Sequence, residues 1–270
     1  MLTLLGPRWW KIIRDRGAAI SALLVAFIAQ PAVADSNSQD EYQNIHTIAL
    51  ISTIGSSFYI QDRPFFGDPK DYTLHPDWGI DARAKQQIRK LLGGRFQILD
   101  VPDNAVSTDL QFAILNRPTE ATKQALKTLN LPPTVDAILV LHPYAGPIGS
   151  GLGMSHFSGP IGKPGTMVFA GYQASILDAK SFDQIDYGTA KHPDGGIYGG
   201  HMLPLEQCPE TFWSDTPEQL VGEREQMLRD EIVALVQKSL PYALASAHLM
   251  RESDIPDQAA SGSGAICSPP

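Results

Sequence analysis

The chain has 270 residues, 21 Lys+Arg against 29 Asp+Glu, and a formal net charge of −8. That acidity argues against a partner held through phosphates, because nucleic-acid affinity rests on clustered Lys and Arg, and no polybasic run is present to hold the chain on an anionic lipid face. With 43% hydrophobic residues it carries enough apolar surface for one sizeable core, and disorder throughout is excluded.

The first 34 residues read as a secretory signal. Arg8, Lys11, Arg14 and Arg16 form a charged head, Ala18 to Ala29 is a short apolar run, and Ala32-Val33-Ala34 is a small-residue cleavage triplet. The run of about a dozen residues falls short of the roughly 20 needed to span a bilayer, so cleavage between Ala34 and Asp35 is expected and no transmembrane segment remains. Loss of residues 1–34 removes four basic residues and one acidic residue, and the remainder carries a net charge of −11. The expected location is periplasmic or secreted. Residues 35–45 form a polar linker, 46–250 a single domain, and 251–270 a tail whose Ala-Ser-Gly composition suits disorder.

Thr47 to Ser52 is a continuous apolar run of the kind found in a strand buried on both faces. Ile80, Ala84, Ile88 and Leu91 recur at helical spacing, with Asp81 in the first turn and Gly93-Gly94 after the last periodic residue. Phe96 to Val101 is a second strand. Thr119 caps a short helix whose apolar face is Ala121, Ala125, Leu126 and Leu129, stopped by Pro132-Pro133. Ala137 to Leu141 is a third strand of the buried type. Thr166 to Asp178 and Phe182 to Thr189 form an antiparallel pair turning at Asp178-Ala179-Lys180. Thr216-Pro217-Glu218-Gln219 offers an N-cap, an N1 proline and a capping-box glutamine, so a long helix is predicted from there, buried through Leu220, Met227, Leu228, Ile232, Leu235 and Val236. Pro241 ends or kinks it, and helical character resumes over Tyr242 to Leu249. The expected fold is therefore α/β, a mixed sheet with helices packed on it in the order β-α-β-α-β-β-β-α.

That order, with strands at His46–Ser52, Arg95–Val101 and Val135–Leu141 and a strand closing at Ala174-Ser175-Ile176-Leu177-Asp178-Ala179-Lys180, resembles a group of periplasmic accessory domains. They are those of the curli-secretion lipoprotein, the amino-terminal domain of the Tol-system translocation protein and the outer-membrane activators of penicillin-binding proteins. The chain departs from them in lacking a lipid-anchor Cys and in carrying longer loops. The resemblance implies a domain that binds other proteins and is not an enzyme.

The chemical motifs are sparse. His142 follows the third strand, where open α/β sheets place their sites; its other reading is a strand-end His bonded to a neighbouring backbone group. His156, His192 and His201 lie in Gly-rich sequence without the i, i+4 spacing or neighbouring ligands of a zinc site. Gly146-Pro147-Ile148-Gly149-Ser150-Gly151-Leu152-Gly153 matches neither the dinucleotide nor the P-loop pattern, and Gly153-Met154-Ser155-His156-Phe157 misses the final glycine of a nucleophile elbow. No cofactor and no metal is expected. Asp183 with Asp186, and Glu223 with Glu225, are pairs that an acidic composition produces unaided.

Aromatic residues concentrate in sequence read as irregular: Phe58, Tyr59, Phe65, Phe66, Tyr72 and Trp78; Tyr144 and Phe157; and Phe182, Tyr187, Tyr198, Phe212 and Trp213. If the first and third strands are parallel, loops 54–79 and 143–165 leave one sheet edge. Phe65, Phe66, Trp78, Tyr144 and Phe157 would then form a surface for an envelope or periplasmic protein partner; the other reading is that these segments hide strands or small cores. An envelope hydrolase using His142 or Ser155 is the alternative function. Cys208 and Cys267, the two cysteines, either form a disulfide in the oxidising exterior or remain as two thiols in loop-like sequence.

Overall fold

A computed structural model describes residues 42–64, 68–102, 105, 110, 112, 117–144, 151–158, 165–191, 204–208, 213, 218 and 220–257, the side chains of 157 and 158 excepted. The described strands are β1 (Thr47–Ser52), β2 (Phe58–Pro64), β3 (Lys70–Leu74), β4 (Gln97–Asp100), β5 (Ala137–Pro143), β6 (Gly151–Ser158), β7 (Gly165–Asp178), β8 (Gln184–Thr189) and β9 (Leu205–Cys208). The described helices are α1 (Ile80–Leu92), α2 (Glu120–Lys127) and α3 (Glu223–Ser246). All nine strands share one mixed, open sheet of order β3-β2-β6-β7-β5-β1-β4, with β8 and β9 also pairing β7.

β1 lies between β4 and β5 and is parallel to both. Buried on both faces, it has the uninterrupted apolar run such a position demands. β7 is 14 residues long and joins the two halves of the sheet: Gly165 to Gly171 pair with β6, and Tyr172 to Asp178 with β5. The β7–β8 turn is fixed by Asp178, whose carboxylate accepts from the Lys180 and Ser181 amides; the Ser181 amide is the larger cause holding that carboxyl below its ordinary value.

The sheet separates two cores. On one face Leu50, Leu139, Met154, Val168, Tyr172 and Ile176 pack among Ile88 of α1 and Ile232 and Leu240 of α3. On the other Ile51, Ile138, Val140 and Leu177 pack with Leu126 of α2. Tyr172 ties sheet to helix: its buried hydroxyl lies 2.7 Å from Ser239 Oγ, and burial pushes its phenol well above the usual range. The short helix α2 is capped as its sequence predicts, Thr119 Oγ1 accepting from the Thr122 amide.

Four strands fall where the sequence reads as loop or linker. β2 and β3 occupy the first aromatic stretch as an antiparallel hairpin. β9 is a short strand paired to β7. β6 occupies the Gly-rich segment between β2 and β7. Its Leu152 and Met154 face the core, and the intervening residues are small for a steric reason: a Cβ on Gly153 would strike the Phe169 ring and the Tyr59 carbonyl. The long helix begins at Glu223 and not at Thr216. Gly222 precedes it at φ +63°, a left-handed backbone that ends any helical run from upstream, and Leu220 is buried ahead of the helix. Pro241 does not end α3, which continues to Ser246.

Candidate functional site

The carboxyl ends of β1 and β5 share one sheet edge, as a parallel pair requires, and the polar residues there divide between the two faces. On the α1 face, Ser52 Oγ donates to Asp81 Oδ1 at 2.5 Å, and the Gly55 amide meets the same carboxylate at 3.2 Å. Asp81, in the first turn of α1, thereby anchors the 3-10 turn Ile54–Ser56 that follows β1. The turn permits little else: a Cβ on Gly55 would sit 2.9 Å from Asp81 Oδ2. Lys85, one turn further along α1, is buried and donates to the Val101 carbonyl at 2.9 Å.

On the α2 face, His142 is 3% exposed and Ser175, on the adjacent strand, is 0% exposed. His142 Nδ1 is 3.1 Å from the Pro143 carbonyl, which can only accept, so Nδ1 carries the proton and Nε2 accepts from Ser175 Oγ at 2.9 Å. The arrangement has the donors and acceptors of a nucleophile–base pair. It is sealed, because the imidazole is stacked on the Phe112 ring at 3.6 Å between centroids with the planes 4° apart. Burial pushes the imidazole down to about 4, with the Pro143 contact opposing. A neutral imidazole, buried on both sides, serves as a hydrogen-bonded core residue joining β5 to β7.

A second polar row crosses the distal half of the sheet. Register places Asp62 of β2 beside His156 of β6, His156 beside Thr166 of β7, and Thr166 beside Cys208 of β9. His156 Nδ1 is 3.4 Å from Asp62 Oδ1, and its ring stacks on Trp213 at 4.8 Å. Two residues along β9, Glu206 is 3.7 Å from Lys238 of α3. Their neighbour Glu231 is 1% exposed, and neither of its carboxylate oxygens has a hydrogen-bond partner. Desolvation, and secondarily the Glu206 charge, push its carboxyl up to about 7.

The residues singled out from the sequence are dispersed. His142 and His156 belong to different rows and do not converge on one carboxylate. Ser155, on β6, is fully buried with an unpartnered hydroxyl and offers no attacking group to solvent. Trp78, read as part of a loop surface, is instead a core residue: it is 8% exposed, packs against Phe58 at 5.0 Å and donates its indole N–H to Glu225 at 3.0 Å. Segment 54–79 is thus largely a hairpin whose apolar side faces inward, and segment 143–165 contains β6. Tyr144 is half-buried, with its amide donating to the Gly171 carbonyl. Phe157 is placed by its backbone in β6. Cys208 is 4% exposed. Ala34, Asp35, Phe65, Phe66, His192, His201 and Cys267 lie outside the described residues. Of the two carboxylate pairs, Glu225 accepts from Trp78, and both members of the other pair are held by structural partners. Asp183 bonds Lys123 at 2.7 Å, and Asp186 lies 2.8 Å from His248 and 3.0 Å from the Tyr42 hydroxyl.

Among the described residues no cluster of three or more His, Cys, Asp or Glu could hold a metal ion, and no described helix is long and apolar enough to cross a membrane. Ser175 escapes the sequence reading as one polar residue within an apolar strand, and Lys85 and Glu231 escape it because each stands beside other polar residues of its helix, where a charged side chain reads as exposed.

No family model matches the chain, and no curated protein matches it. Solved structures that resemble it include the Xanthomonas campestris protein XCC0632, described by the family model DUF330, at 11% identity and a TM-score of 0.28 over 73% of this chain and 84% of that one. Another is the hypothetical protein CT253 of Chlamydia trachomatis, at 12% identity and a TM-score of 0.25 over 73% of this chain and 98% of that one.

Proposed function

We propose that this is an exported protein of the cell envelope, released after Ala34, that acts by binding another protein and not by catalysis. The observation that carries the reading is the burial of the His142–Ser175 pair: the best-placed base and hydroxyl of the described residues lie at 3% and 0% exposure under the Phe112 ring, where no substrate reaches them. The resemblance to periplasmic accessory domains points the same way. Phe65, Phe66, Tyr144 and Phe157 remain the proposed partner surface, Trp78 having a core role. Cys208 and Cys267 are proposed to bond in the oxidising exterior, which thiol counting on the exported protein under denaturing, non-reducing conditions tests; two free thiols refute it.

Intact mass of the exported protein should place its first residue at Asp35. Replacement of Phe65, Phe66 and Phe157 by Ser should leave the melting temperature nearly unchanged while abolishing co-purification of an envelope protein. A collapse in stability would put those rings in a core and overturn the surface. A hydrolytic activity lost in a folded His142→Gln variant would overturn the binding reading itself.

A further inference from the structure

α1 and α3 enclose a cleft of about 730 Å³. Arg83 and Lys90 line it from α1 and Lys238 from α3, and among the described residues that line it there is no Asp or Glu. This is an inversion of local charge on a chain of net charge −8. Lys238 is paired with Glu206, whereas Arg83 and Lys90 are exposed and meet no carboxylate among the described residues. The two stand seven residues apart on one helix, two turns and roughly 10 Å along the groove axis. Leu91, Pro241 and Pro256 add apolar lining to the same cleft.

We infer that this cleft is the docking site of an acidic, extended peptide segment from a partner protein, with side-chain carboxylates on Arg83 and Lys90 and apolar residues against Leu91 and Pro241. Charge complementarity selects an anion, and spacing selects its form, since two cations roughly 10 Å apart along a cleft match carboxylates three residues apart in an extended chain of the polyproline II type, whose three residues per turn at about 3.1 Å each set both on one side. A membrane surface is the poorer fit. Lipid binding uses a cluster of four to eight basic residues, while this cleft holds three cations on a chain whose remaining charge repels an anionic bilayer. The side-chain amides of Gln86 and Gln237 in the lining supply hydrogen-bond partners for a peptide backbone. None of the residues lining it belongs to the proposed aromatic surface, and the inference stands or falls independently of that surface.

The test is fluorescence anisotropy on the full exported chain with a labelled decapeptide of Glu and Leu, a Lys and Leu decapeptide as the charge control, and phosphatidylglycerol vesicles as the lipid arm. The acidic peptide should bind, weaken as salt rises, and lose at least tenfold affinity in an Arg83→Glu, Lys90→Glu variant, with binding retained in Arg83→Lys, Lys90→Arg. Both variants alter exposed side chains, and an unchanged circular-dichroism melt establishes that each is folded. Equal binding of the two decapeptides, no loss on charge reversal, or binding to vesicles but not to the acidic peptide would each overturn the inference.

Discussion

The side chain of Gln87 donates to the backbone carbonyl of Gln237 at 2.7 Å. That carbonyl would ordinarily accept from the amide four residues on, which is Pro241 and has none. A proline inside a 24-residue helix should cost about 3 kcal/mol through the lost bond and the ring clash, yet α3 runs through it unbroken. α1 supplies the missing donor. Gln87→Ala should therefore cost about 1 kcal/mol in the wild-type background, and less in a Pro241→Ala background, where the helix amide is restored. A double-mutant cycle by urea unfolding reads the coupling directly, and strict additivity would mean that Gln87 does not act through the Gln237 carbonyl.

Trp78 and Tyr144 were grouped by sequence and are separated by the fold. Trp78 packs on Phe58 and bonds Glu225 at the start of α3, so Trp78→Ala should cost roughly 3–5 kcal/mol, the range for truncating a large core aromatic. Tyr144 is half-buried, and Tyr144→Ser should cost clearly less. Chemical denaturation of the two variants checks the ranking; a near-neutral Trp78→Ala would return that residue to the surface.

The central sheet was legible because its strands obey simple patterns. β1 and β5 are apolar without interruption, α1 repeats at helical spacing, and Asp178 announces its own turn. β2 and β6 were hidden by different causes. In β2 only Phe58 and Ile60 are buried, too few for alternation to stand out before the charged Asp62 and Arg63. In β6 glycine reads as a loop residue, but Gly153 is required by the Phe169 ring across the strand pair. The helix start failed because Thr216-Pro217-Glu218-Gln219 satisfies every local rule, while Gly222 decides the matter from further along the chain. Sites were the least legible part, since whether His142 is a base or a core residue depends on Ser175 and Phe112, which no sequence spacing brings together.

Gly188 and Gly94 test how far packing, and not backbone freedom, explains the glycines. A Cβ on Gly188 would fall on the Ala243 carbonyl oxygen and crowd the Ala247 amide, at the point where β8 meets the end of α3. One of the two backbones must move, so Gly188→Ala should cost at least about 2 kcal/mol, in the range of overpacked cores. A Cβ on Gly94 meets nothing within 4 Å, and Gly94→Ala should be neutral or stabilise by up to about 1 kcal/mol through the unfolded chain. Equal effects in thermal melts would refute the packing account.

The last prediction joins Glu231 and His142, whose titrations act on stability in opposite directions. The Glu231 carboxyl is raised from 4.5 to about 7 in the folded chain, so the native state holds this proton more tightly than the unfolded one; stability is greatest below pH 4.5 and drains as pH rises towards 7. The His142 imidazole is lowered from 6.5 to about 4, so the unfolded state takes the proton first; stability is complete above pH 6.5 and drains as pH falls towards 4. Each gap corresponds to about 3 kcal/mol. Between pH 4.5 and 6.5 the two slopes oppose, and the wild-type stability should be nearly flat there. Asp136, Asp178 and Asp183, held below their ordinary value of 3.8 by their hydrogen-bond donors, titrate beneath this window. Glu231→Gln should thus leave stability at pH 4 little changed, raise it by up to about 3 kcal/mol at pH 8, and expose a rising slope from pH 4 to 6.5. His142→Gln, which keeps a partner for Ser175, should expose the falling slope instead. Urea unfolding from pH 4 to pH 8 measures both, and a Glu231→Gln variant whose profile runs parallel to the wild type would show that the buried carboxylate does not titrate in this range.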